Sequence, residues 1–101
     1  MFGWRLVRVV GESMAPALED GDFVLVGPNA TLSPGHVVLV RHPRFGVIVK
    51  RLHAQASDGR YAIAGDNAAS TASQSLGPIE PSAILGVARW RISRTGVARL
   101  A

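Results

Sequence analysis

Val37-Val38-Leu39-Val40-Arg41 and Gly46-Val47-Ile48-Val49-Lys50-Arg51-Leu52 are two apolar runs rich in branched side chains, joined by His42-Pro43-Arg44-Phe45. Branched residues fit a pleated strand better than the crowded turn of a helix, and a short proline-containing link between two such runs signals a hairpin. The pattern continues outward on both sides. Upstream, Trp4 to Val10 alternates, with Trp4, Leu6 and Arg8 on one face and Arg5, Val7 and Val9 on the other. After the Gly21-Asp22 turn comes the apolar run Phe23 to Val26. Downstream, Ser57-Asp58-Gly59 turns the chain into Arg60 to Ala64, Pro81 to Ile84 has room for one helical turn, and Leu85 to Ser93 reads as a closing strand. The tail after Arg94 has no evident partner. These segments predict an all-β fold, mainly antiparallel, with one or two short helical turns and a small, polar loop from Gly65 to Pro78.

Composition narrows the function classes. The chain has 101 residues, 48% apolar and 18% charged, which suits a single packed domain over 1–101. It contains no cysteine, so disulfides, a thiolate nucleophile and cysteine-ligated metals are excluded. The net charge of +4 permits attraction to anionic partners. No stretch reaches the ~18–20 apolar residues of a membrane span. Arg5 and Arg8 interrupt the N-terminal apolar run, and no small-residue cleavage site follows. The expectation is a soluble, cytoplasmic protein with no span or leader, with peripheral membrane contact left open and no oligomeric state specified.

Three features carry chemistry. Lys50 is the only lysine and sits mid-strand after Val47-Ile48-Val49. Burial lowers the pKa of an amine, which turns lysine into a usable general base. An outward lysine beside Arg51, solubilising a sheet edge, is the commoner arrangement for one such residue. Ser13 lies in Gly11-Glu12-Ser13-Met14-Ala15-Pro16, a short turn after a strand end. Such a turn exposes the hydroxyl and frees backbone N–H groups for an oxyanion, although capping serines are more frequent. Gly65-Asp66-Asn67 then leads into Ser70, Ser73 and Ser75, hydroxyls able to hold a lysine amine, or simply a polar loop.

Together and in this order, these segments resemble the conserved boxes of the S26 serine proteases, the type I signal peptidases and their relatives. Gly11 to Leu18 with Gly21-Asp22 is similar to the nucleophile box, Gly35 to Val40 to the second, and Val49-Lys50-Arg51-Leu52 to the general-base box. Gly65-Asp66-Asn67 with Ser70 and Gly77-Pro78-Ile79 is similar to the last, and Ile84-Leu85-Gly86 to its follow-on. The likeness covers about residues 7 to 92 and implies a coiled, barrel-like sheet core. It implies Ser13 as nucleophile, Lys50 as general base and Ser70 as the residue positioning the amine. Gly11, Met14, Pro16, Asp66 and Asn67 would lie near the site, with Met14 lining shallow pockets for small side chains. No cofactor is implied. The implied partner is a precursor protein whose N-terminal leader or propeptide is removed.

Departures refine the reading. His36 stands where the second box usually has an acid, and Ala72-Ser73-Gln74 replaces an acid–arginine brace. The minimal length resembles the maturation proteases of nickel-type superoxide dismutase, and signal-peptidase processing of exported proteins is the alternative. The S24 proteases share the dyad but lack the final glycine-proline box, which ranks them lower. A non-catalytic basic module is a further alternative, with Arg89, Arg91 and Arg94 around Trp90 meeting phosphate. An edge strand with outward arginines and an inward Trp90 is the favoured arrangement there, so no nucleic acid is expected. His36, His42 and His53 lie on separate segments without paired acids, so no metal site is expected.

Overall fold

The computed structural model describes residues 3–28, 31–67 and 76–100. Among these, seven strands form one mostly antiparallel sheet: β1 Arg5–Arg8, β2 Phe23–Gly27, β3 Val37–His42, β4 Gly46–Gln55, β5 Tyr61–Ala64, β6 Ile84–Ser93 and β7 Gly96–Arg99. One 3₁₀ turn covers Pro81–Ala83. The all-β expectation holds. The sheet is open and does not close into a barrel, running β1-β2-β6-β3-β4-β5 with β7 on β6.

The deciding hairpin forms as read, with Val38 opposite Lys50 and His42 opposite Gly46. His42 organises its turn. The ring is buried, and its Nδ1 accepts N–H bonds from Arg44 at 3.0 Å and Phe45 at 3.3 Å. Two donors at Nδ1 leave the proton on Nε2, which donates to Leu76 O at 2.7 Å.

Val37 to Val40 are all buried because β3 lies between two cores. Val37 and Leu39 join Met14, Leu18, Val24, Val26 and Ala88 on one side. Val38 and Val40 join Leu52, Ile63, Ile79, Ile84 and Val87 on the other. A run buried on both faces cannot alternate, which explains the uninterrupted apolar reading of β3.

Two expectations at the C-terminal end are corrected. The tail after Arg94 is β7, paired from Ser93 opposite Gly96 to Trp90 opposite Arg99. Nor is β6 an edge strand with Trp90 inside. Val26 pairs with Ala88 and Leu25 with Trp90, so Arg89 is an extra, bulged residue. A bulge reverses the alternation beyond it. Trp90 therefore shares the outer face with Leu25, while Arg91 takes the face of buried Val24 and binds Asp22.

Candidate active site

The chain reaches the site at the end of β1, where pairing outlasts the strand. Val9 N–H donates to Asp22 O at 2.7 Å and Gly21 N–H to Val9 O at 2.8 Å. Gly11 then turns the backbone at φ +85°, a conformation that costs glycine little, and its N–H donates to Asp20 Oδ1 at 2.7 Å. Ala15 N–H to Glu12 O and Leu18 N–H to Met14 O close successive short turns. Met14 and Leu18 are fully buried and pin this segment to the first core. Ser13, beside Met14, stays partly exposed, and exposed Pro16 follows a cis peptide bond.

Lys50 arrives from β4, on the strand face that also carries Ile48 and Leu52. It is only 6% exposed, so the outward arrangement is not the one adopted. Desolvation by burial lowers its pKa below the ordinary lysine value. Ser13 and Lys50, far apart in sequence, line the same cavity of ≈ 340 Å³. Its walls are Val7 to Val10 from β1 and its extension, Val47 to Lys50 from β4, and Met14. β5 pairs with β4 only over Arg51 to Gln55, and β1 pairs only with β2. The cavity thus lies between two strand edges with no described strand against them.

Gly65-Asp66-Asn67 braces the serine turn from outside. Asp66 N–H donates to Ser13 O at 2.7 Å. Asn67 Nδ2 donates to Glu12 O at 2.7 Å and Ala15 O at 2.8 Å, straddling Ser13. The brace is tied to the lysine strand. Arg51 grips Asp66 through two bonds, Nε to Oδ1 at 3.1 Å and Nη2 to Oδ2 at 2.6 Å, and donates from Nη1 to Gly35 O at 3.0 Å. The Asp66 side-chain hydrogen bond raises the Arg51 pKa, the main cause, against some desolvation. One rigid guanidinium thus fixes the strand carrying Lys50 to the loop that holds Ser13.

Asp66 and Asn67 stood out in the sequence; Arg51, the partner of Asp66, and the anchor Asp20 did not, because nothing in their spacing announces those contacts. Ser70, Ser73 and the altered brace at 72–74 lie outside the described residues. Among the described residues, no three His, Cys, Asp or Glu side chains are grouped to hold a metal ion. His36 accepts an N–H bond from Ser33 at 3.3 Å at Nδ1, and His42 is committed to its hairpin. Among the described residues, no helix is long and apolar enough to cross a membrane.

No curated protein matches the chain. A family model described as Peptidase S24-like matches residues 4–89, a span that contains both Ser13 and Lys50. This is the family that the glycine-proline box ranked lower. A buried, neutralisable amine and a serine turn sharing one cavity are the chemistry a serine peptidase needs. With most of its length matched, the chain belongs to the Peptidase S24-like family of serine peptidases.

Proposed function

We propose that the protein is a serine endopeptidase in which Ser13 is the nucleophile and Lys50 the general base. The observation that carries this reading is the shared cavity, into which the turn bearing Ser13 and the buried, pKa-lowered Lys50 both reach. Neutral Lys50 Nζ takes the Ser13 hydroxyl proton as Oγ adds to the scissile carbonyl carbon. By the S26 resemblance, the Ser13 N–H supplies one donor to the oxyanion. Collapse of the intermediate breaks the C–N bond, and the Lys50 ammonium returns its proton to the departing amine. Water, deprotonated by Lys50, then hydrolyses the acyl ester and regenerates both groups. Ser70 is the candidate for holding the amine.

The cavity favours an extended peptide. A segment entering between the edges of β1 and β4 can pair its backbone with either strand while its side chains meet Val7, Val9, Met14 and Ile48. Small side chains next to the cut are what the S26 resemblance implies. The substrate proposed is a precursor with a removable N-terminal propeptide, the nickel-type superoxide dismutase precursor first. The support is the order of the S26-like boxes. A secretory precursor carrying a signal peptide is the second substrate.

The test is intact-mass analysis of each precursor after incubation with the protein, with Ser13→Ala as control. Cleavage of the dismutase precursor at one site by the wild type alone is expected. Cleavage of the signal-peptide precursor alone moves the substrate to exported proteins. Cleavage persisting in Ser13→Ala removes the serine from its role.

A further inference from the structure

β4 lines the candidate active site with its first half and a different cavity with its second. On this strand the lining of the Ser13 cavity runs from Val47 and ends at Lys50. The strand continues to Gln55, and there it borders a second cavity of ≈ 620 Å³. Ala54 and Ala56, Tyr61 and Ala62 of β5, and Gly77-Pro78 enclose that space. Ala54 stands directly opposite Ala62, so methyl groups form the floor between β4 and β5.

The walls are fixed by bonds of their own. Tyr61 N–H donates to Ile79 O and Ile79 N–H to Tyr61 O, both at 2.8 Å, which holds Gly77-Pro78 beside β5. Gln55 Nε2 donates to Gly59 O at 3.0 Å. Arg60 is the one charged residue in the lining, and its guanidinium is paired with Asp58 at 3.0 Å. A preformed apolar cavity whose cation is already neutralised selects an uncharged, apolar group.

We propose that this cavity is an exosite, which seats an apolar side chain of the substrate on the far side of the scissile bond from the groove. The proposal rests on the peptidase reading above. One side of the bond lies along Val47 to Lys50, so the other side leads off past Lys50. It cannot continue along the edge of β4, because β5 occupies that edge from Arg51 to Gln55. Beyond the cut the substrate is therefore held by side-chain anchoring and not by strand pairing. Ala54 and Ala56 lie roughly 13–20 Å along the strand from Lys50 at ~3.3 Å per residue. The anchored side chain thus stands about four to six residues from the cut. With the propeptide in the groove, that residue belongs to the mature segment of the precursor.

An anchor this far from the reacting atoms binds ground state and transition state alike, so its loss raises KM and leaves kcat unchanged. Isotope-labelled Ser13→Ala protein is titrated with the intact dismutase precursor, then with the signal-peptide precursor, and backbone amide shifts are followed by NMR. Shifts at Val49 and Lys50 are expected together with shifts at Tyr61 and Ala62. In otherwise wild-type protein, Ala54→Glu and Ala56→Glu should each raise KM for the cleaved precursor about tenfold, the scale of one buried apolar side chain. Both positions are exposed, so circular dichroism should be unchanged. Shifts confined to the groove, or an unchanged KM in both variants, overturn the exosite and leave the peptidase reading standing. Shifts at Tyr61 and Ala62 alone overturn it too, assigning the cavity to a ligand that bypasses the groove. Shifts at both places without cleavage by the wild type support the exosite and remove the catalytic reading. No shift at either place with either precursor overturns both.

Discussion

Asn67 offers the sharpest test of how the serine turn is held. Its amide bridges Glu12 O and Ala15 O at 2.7 and 2.8 Å. Both partners are carbonyl oxygens, so the NH₂ group must face the turn. Each such bond contributes about 0.5–1.5 kcal/mol net. One bond is exposed and the other part-buried, which favours the lower half of the range. Asn67→Ala should then cost about 1–2 kcal/mol, a fall in Tm of roughly 4–16 °C for a domain this small. Asn67→Asp should be worse at neutral pH, because a carboxylate would face two carbonyl oxygens with no proton to give. The added cost is about 1–3 kcal/mol. That clash raises the pKa of the introduced carboxyl in the folded state. The Asp variant is therefore closest to the Ala variant in acid and falls away as pH rises through the carboxylate range. Thermal melts of the three proteins between acid and neutral pH provide the assay. Cleavage should follow, since a displacement of Ser13 by about 1 Å can cost ~100-fold in rate. Variants indistinguishable at neutral pH, both melting with the wild type, would refute the clamp.

Further outcomes follow from the same geometry. Burial lowers the Lys50 pKa, so cleavage should rise with pH and reach half its maximum below the ordinary lysine value of 10.5; a flat pH–rate profile would contradict the base assignment. Lys50→Arg should be inactive, because a guanidinium keeps its proton. Between the lowered folded pKa and 10.5 the unfolded chain binds more protons at this site, so stability gains with pH there, and Lys50→Met should remove that slope from a Tm–pH series. Gly86→Ala should destabilise by about 1–3 kcal/mol or more in denaturant titration, because its Cβ would collide with Gly27 O and lie 2.6 Å from Val26 Cγ1. Arg91→Met should cost about 1–2 kcal/mol by the same measurement, leaving the largely buried Asp22 carboxylate with the Glu19 N–H but without its cation.

Local pattern determined a good deal of this protein. The branched runs around His42 to Phe45 made a hairpin and the alternation of Trp4 to Val10 set the faces of β1, whereas the burial of β3 on both sides emerged only with the two cores packed against it. Ser13 and Lys50 were legible only as separate candidates, a serine at a strand end and a lone lysine after an apolar run, and it was the resemblance to the S26 boxes that joined them as a pair. Tertiary structure decided the rest. The bulge at Arg89 turned Trp90 outward and Arg91 inward, and a one-residue insertion leaves no mark on composition or spacing. The tail became β7 because β6 offered it a free edge, a property of the sheet and not of Gly96 to Arg99. Lys50 lost its solvent, and Arg51 found Asp66, only when the sheet brought β4 against the serine turn. Periodicity records what a residue does toward its own strand. Burial, pKa and ion pairing depend on what the rest of the chain places against it.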